Sequence, residues 1–171
     1  MLRIKYRRAR EGKTDYAARA TLLESNLPRL VVRKSNRYIT AQLVLSREAQ
    51  DFVLVGVTSK ALLGYGWPSH AAGTLKSIPA AYLTGFLLGE KIKGLKPKIE
   101  KAILDIGLQR STCGGRIYGV VAGIKEAGIE IPCKNKMLPK ENRLFGEHMK
   151  AKFPIEEIKK AIKEKCKPKS S

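Results

Sequence analysis

Hydrophobic and polar positions follow two rhythms along this chain. Arg29-Leu30-Val31-Val32-Arg33 is short, β-branched and apolar, and Tyr38 to Leu45 is a longer run with partial alternation. Between them lie the turn formers Lys34-Ser35-Asn36-Arg37, so the pattern predicts a β-hairpin. Asp51 to Val57 predicts a third strand after a short polar loop. Residues 58–76, rich in Gly, Ser and Lys, read as a loop. From Ile78 to about Leu95 the period changes. Ala81, Tyr82, Gly85, Leu88 and Ile92 recur at three- and four-residue spacing, predicting an amphipathic helix whose small residues suit close packing on a sheet. Lys101 to Ile106 is a short apolar run that suits a buried strand. Cys113-Gly114-Gly115 then leads into a second helix with Ile117, Val120, Val121, Ile124 and Ala127 on one face and Gly128 as its C-cap.

The order βββαβα predicts a single α/β domain with a mixed β-sheet packed by helices. Ahead of it, Thr14 or Asp15 is placed to cap a short helix through about Leu23, ended by Asn26-Leu27-Pro28. Behind it, the chain turns lysine-rich after Pro132, and Pro154 introduces a last helix with Ile155, Ile158 and Ile162 as its apolar stripe. Three parts are therefore expected: a basic arm over 1–13, an α/β domain over 14–132, and a Lys-rich C-terminal extension over 133–171.

Charge sharpens this division. In 171 residues, 34 Lys and Arg oppose 15 Asp and Glu, a net charge of +19. Residues 1–37 net +8 and residues 132–171 net +7, so the middle is nearly balanced and the ends are basic. The N-terminal end is Arg-rich and the C-terminal end almost wholly Lys. Arginine offers phosphate a planar fork and stacks on bases, whereas lysine acts as a hydrated point charge. The expected partner is a polyanion, with its shaped contacts at the N-terminal end. No apolar run approaches the roughly 20 residues that span a bilayer. The first residues lack the apolar stretch of a signal peptide. Three scattered cysteines make no disulfide framework. A cytosolic protein without a membrane partner is expected.

Catalytic chemistry is sparse. The chain has three aspartates and two distant histidines, His70 and His148, neither with a ligand-spaced companion for zinc. A metal-dependent nuclease needs several converging carboxylates, and only Asp51 and Asp105 fall on strands. Asp105, inside an apolar strand, reads better as a hydrogen-bonded structural residue. Gly114-Gly115-Arg116 matches no nucleotide-binding motif. No catalytic site, metal or cofactor is expected.

Binding chemistry is concentrated. At the hairpin tip, Arg33, Lys34, Asn36 and Arg37 fall within five positions beside Ser35 and Tyr38, supplying cations, polar groups and a ring. The arm adds Arg3, Lys5, Arg7, Arg8, Arg10 and Lys13 around Tyr6, and is read as extended until it meets its ligand. Tyr65 and Trp67 in the loop either stack on bases or fold back over the core.

Five stretches carry a family resemblance. They are Gly12–Arg19 (GKTDYAAR), Pro28–Gln42 (PRLVVRKSNRYITAQ), Ala80–Gly85 (AAYLTG), Leu104–Leu108 (LDIGL) and Gly123–Pro132 (GIKEAGIEIP). In order over about residues 3–135, they resemble the universal large-subunit ribosomal protein that binds 5S rRNA, protein eighteen of bacteria and archaea and protein five of eukaryotes. The Gly-Lys-Thr-Asp-Tyr opening and the short C-terminal part resemble the archaeal type. The resemblance implies a ribonuclease-H-like arrangement used without catalysis. It also implies a structural role in the central protuberance of the large ribosomal subunit, linking 5S rRNA to large-subunit rRNA beside neighbouring ribosomal proteins. Carried over by position, the RNA-binding residues are those of the arm, the Arg33–Tyr38 tip and Gln42, with Tyr16 and Arg19 from the first matched stretch. A generic RNA-binding protein and an RNA-processing nuclease on the same fold are the alternatives.

Overall fold

The computed structural model describes residues 6–47, 50–95, 99–147, 149 and 153–166. Its centre is a four-stranded mixed sheet in the order β3-β2-β1-β4, built from β1 (Arg29–Lys34), β2 (Ile39–Arg47), β3 (Gln50–Thr58) and β4 (Ile103–Asp105). β1 and β2 form the expected hairpin, antiparallel, with Arg29 opposite Val44 and Lys34 opposite Ile39. β2 and β3 are also antiparallel, with a register irregularity at Leu43 and Val44. β4 joins β1 in parallel, so the chain between them must cross over one face, as a helix does. The strand expected at Lys101–Ile106 is shorter and half-buried. It lies at the sheet edge, and Lys101 instead bridges to Glu130.

The crossover is α3 (Ile78–Lys93), capped by the Ser77 hydroxyl accepting from the Ala80 amide, with Pro79 in its first turn. α4 (Arg116–Glu126) follows β4, and Gly128 closes its end at φ +92°. α3 lies over β2 and β3, and α4 over β1. Leu30, Val32, Ile39, Ala41 and Leu43 point up into them and are fully buried. The small residues have a different use from the one expected. A Cβ on Gly85 would stand 2.1 Å from the Val120 carbonyl oxygen, and one on Gly123 would stand 2.1 Å from that of Tyr82. They let the two helices touch backbone to backbone, rather than letting α3 settle on the sheet.

α6 (Ile155–Cys166) buries Ile155, Ile158 and Ile162, the predicted stripe, and packs on α3. Its Lys159 is held 2.8 Å from Glu126 and 4.7 Å above the Tyr82 ring. Residues 58–76 contain two 3-10 turns, Ser59–Tyr65 and Ser69–Thr74. Trp67 is 2% exposed, stacked 4.4 Å from Phe153, and its indole N–H donates to the Ala71 carbonyl. Of the two readings for this loop, folding back over the core is the one observed; Tyr65 also packs against the core. Among the described residues no helix is long and apolar enough to cross a membrane.

Candidate nucleic-acid interface

Strand alternation decides which β1 side chains face away from the helices. With Leu30 and Val32 in the core, Arg29, Val31 and Arg33 project to the other face. There the Arg29 guanidinium is 3% exposed, and removing it from water costs several kcal/mol unless carboxylates and hydrogen bonds offset the loss. They do. Its Nη1 donates to Asp105 at 2.8 Å, and its Nη2 donates to Asp51 at 2.6 Å and to the Ser46 hydroxyl at 2.9 Å. Asp105 also accepts from Arg33 Nη2 and from the Gly107 amide, both at 2.9 Å. Asp51 also accepts from Arg19 Nη2 at 2.9 Å and from Ser46. The result is an alternating chain, Arg33–Asp105–Arg29–Asp51–Arg19, that crosses the sheet and ends on α2 (Tyr16–Glu24).

Burial alone would raise the Asp51 carboxyl. The hydrogen bonds from Ser46 and Arg29 and the charges of Arg29 and Arg19 outweigh it and hold the group below the ordinary carboxylate value. Both strand aspartates are thus taken up by guanidinium groups. The third, Asp15, caps α2 by accepting from the Ala17 and Ala18 amides. Among the described residues no three His, Cys, Asp or Glu side chains converge as metal ligands. Asp105 is the hydrogen-bonded structural residue that its place in an apolar strand suggested.

α2 does not lie flat on this face. Between it and β1, β4 and the following loop runs a cleft of about 700 Å³, where Arg8, Lys13, Arg19, Arg29 and Arg33 outnumber Asp15 and Asp105. The arm enters beside it. Its described part is not extended: Arg7–Arg10 makes one helical turn, α1. Arg8 Nε donates to the Thr14 hydroxyl at 3.0 Å, and the Tyr6 ring, 70% exposed, leans on Tyr16 with centroids 5.2 Å apart. At the surface Glu11 pairs with Lys13 at 2.7 Å and more distantly with Arg7 at 3.7 Å. Arg10 is exposed, with no ion pair among the described residues. Arg3 and Lys5 lie outside the described residues.

The hairpin tip is smaller than its sequence suggests. Arg33 does not join it: β1 runs on to Lys34, and Arg33 reaches across to the Asp105 carbonyl and carboxylate, flat against Gly107. Gly107 sits at φ +59°, and a Cβ there would meet the guanidinium at 3.0 Å, so both the left-handed backbone and the close approach of Arg33 favour glycine. Ser35 is spent on closing the turn, its hydroxyl accepting from the Arg37 and Tyr38 amides and donating to the Tyr38 carbonyl. Tyr38 is half-buried against the core. Asn36 and Arg37 are exposed at the apex, and Lys34 stands at its base. Gln42 lies across Gly56 on the open face of the sheet.

Four residues outside the expected binding set shape this region: Arg29, Asp51, Asp105 and Gln109. Period-two spacing of Arg29 and Arg33 is the available signal for the first. Gln109 fastens the Lys34 main chain, its Oε1 accepting from the amide at 3.2 Å and its Nε2 donating to the carbonyl at 3.1 Å. Nothing in the sequence marks that clamp.

The amino-acid sequence is similar to those of known proteins. Residues 1–96 match the family model described as ribosomal large subunit proteins 60S L5 and 50S L18. The chain is 46% identical over 147 residues to the large ribosomal subunit protein uL18 of Korarchaeum cryptofilum, covering 86% of this chain and 72% of that one. It is 45% identical over 148 residues to the protein of that name from Caldivirga maquilingensis, covering 86% and 69%. With the one from Methanococcus maripaludis the identity is 46% over 148 residues, covering 86% and 74%.

Proposed function

Because this chain belongs to the large-subunit ribosomal protein family of 60S L5 and 50S L18, we propose that it is a structural component of the large subunit that binds 5S rRNA and attaches it to large-subunit rRNA in the central protuberance, alongside neighbouring ribosomal proteins. One observation carries the reading: a cationic cleft lies over the ion-paired open face of the sheet, and a cationic turn follows directly from the strand whose Arg33 lines that cleft. Sheet order, with only β1 and β4 parallel, supports a ribonuclease-H-like arrangement used as a platform. A nuclease would need Asp51 and Asp105 for metal, and releasing them would leave Arg29 buried beside no anion.

The residues divide by role. Arg3, Lys5, Arg7, Arg8, Arg10, Lys13, Lys34 and Arg37 supply phosphate contacts, Asn36 and Gln42 supply polar ones, and Tyr6 and Tyr16 offer ring faces to unstacked bases. Arg19, Arg33, Ser35 and Tyr38 act mainly by positioning, since their polar groups or rings are already engaged within the protein.

The test is 5S rRNA binding by the full chain across a salt series, with excess tRNA as competitor. Binding that survives the competitor is expected, with a slope of log affinity against log salt of about 0.7–0.9 per neutralised phosphate. Reversing Arg8 and Arg37 to Glu should weaken it by at least about tenfold without lowering the melting temperature, as both side chains are exposed. Equal displacement by tRNA would reduce the protein to a generic RNA binder.

A further inference from the structure

The helical layer has a basic concavity of its own. It is a hollow of about 530 Å³ at the N-terminal ends of α3 and α4. Three cations from three separate segments line it: Lys76 just before the α3 cap, Arg116 at the start of α4, and Arg143 on the short helix α5 (Glu141–Leu144). No Asp or Glu lines the hollow, and none of the three cations makes an ion pair among the described residues. Arg116 Nη1 donates to the Lys76 carbonyl at 3.4 Å, which holds two of the segments together across the mouth.

This contrasts with the open face of the sheet, where Arg19, Arg29 and Arg33 are matched by two aspartates. Three unneutralised cations around one hollow repel each other in a chain already at +19, and an anion seated among them would remove that repulsion. The surroundings suit phosphate. No side chain caps α4, so its first-turn amides remain available at the positive end of the helix. Thr74 and Thr112 add hydroxyls suited to a sugar-phosphate strand.

We propose that this hollow binds the backbone of a second RNA segment, so that the protein is held between two RNA strands, one on the open face of the sheet and one on its helix-covered side. The proposal rests on the RNA-binding reading of the cleft and assigns the second contact to Lys76, Arg116 and Arg143.

The experiment compares the full chain with a Lys76→Glu/Arg143→Glu variant and with its milder partner Lys76→Gln/Arg143→Gln. Both side chains are exposed, so the melting temperature should not change. Each protein is titrated with 5S rRNA, with deproteinised archaeal large-subunit rRNA, and as a preformed 5S complex with the large-subunit rRNA. The expected result is 5S affinity within twofold of the parent, with capture by large-subunit rRNA at least tenfold weaker for the Glu pair and severalfold weaker for the Gln pair. Its salt slope should fall by about 0.7–0.9 for each phosphate no longer neutralised. Unchanged capture, or no capture by the parent, would overturn the proposal. So would equal losses toward both RNAs, which would merge the hollow with the cleft, or binding of a Glu-rich peptide lost while RNA capture is kept. Failure of the cleft reading has a separate signature: 5S rRNA displaced by tRNA while binding of large-subunit rRNA alone still depends on the pair.

Discussion

The two faces of the sheet are held together by different physics. On the helix side, Leu30, Val32, Ile39, Ala41 and Leu43 meet α3 and α4, which approach so closely at Gly85 and Gly123 that shape dominates, with one polar tie from the Tyr82 hydroxyl to Glu126. On the open side, five ionised side chains in alternating sign tie β1, β3, β4 and α2 together. A shape-held layer owes little to pH and salt, apart from the Tyr82–Glu126–Lys159 tie, and is vulnerable to a single methyl group. A charge-held layer tolerates small changes of volume and is vulnerable to the loss of one partner. The same residue type therefore has opposite uses a few positions apart: Arg33 on the strand is structure, while Arg37 on the turn is surface available to a polyanion.

The largest effect should come from Asp105→Ala, which strips Arg29 and Arg33 of a shared carboxylate at a site almost closed to water. Chemical denaturation should show a loss of about 3–5 kcal/mol, with weaker 5S rRNA binding as the cleft loosens. A loss under about 1 kcal/mol would mean that the charged face adds little to the joining of β1 and β4. Next comes Gly123→Ala. Its methyl group meets the Tyr82 carbonyl and forces the helices apart, costing about 1–3 kcal/mol in thermal unfolding, with no change in the affinity of the folded protein for RNA. A parallel drop in affinity would show the two faces to be coupled.

Acid should produce the smallest effect and reach both layers. Asp51 is held below its ordinary value. Burial would raise Glu126 too, yet hydrogen bonds from Lys159 and Tyr82 and the charges of Lys159 and Lys163 bring it down. A depressed carboxylate adds stability that is complete above the unfolded value, about 4, and fades as pH drops through the lower folded value. Stability should therefore fall from about pH 4 downward. Asp51→Asn should flatten only part of that decline, leaving the share that belongs to Glu126, as melting curves between pH 6 and pH 2 would show.

Much of the fold is legible in the amino-acid sequence. The hairpin, the third strand, both long helices and the Ile155–Ile158–Ile162 stripe follow from apolar periodicity, because burial of one face imposes it. The site is legible only as a concentration of charge. Nothing local distinguishes Arg33, tied to Asp105, from Arg37, whose guanidinium has no ion pair among the described residues, since the deciding partner lies on a strand far along the chain. Arg29 is hidden for the same reason, with Asp51 and Asp105 arriving from two other strands. The arm reads as extended because its composition resists folding, yet Tyr6 on Tyr16 and Arg8 on Thr14 give the chain a reason to turn.

The clamp of Gln109 on Lys34 has a consequence of its own. β4 is only three residues long, so the last part of β1 has no neighbouring strand on that side, and an open strand edge invites another chain to add itself. One side-chain amide, with its donor and acceptor side by side, imitates a peptide unit and fills that place. The Lys34 peptide groups are thereby no longer open to pairing with a strand from another chain.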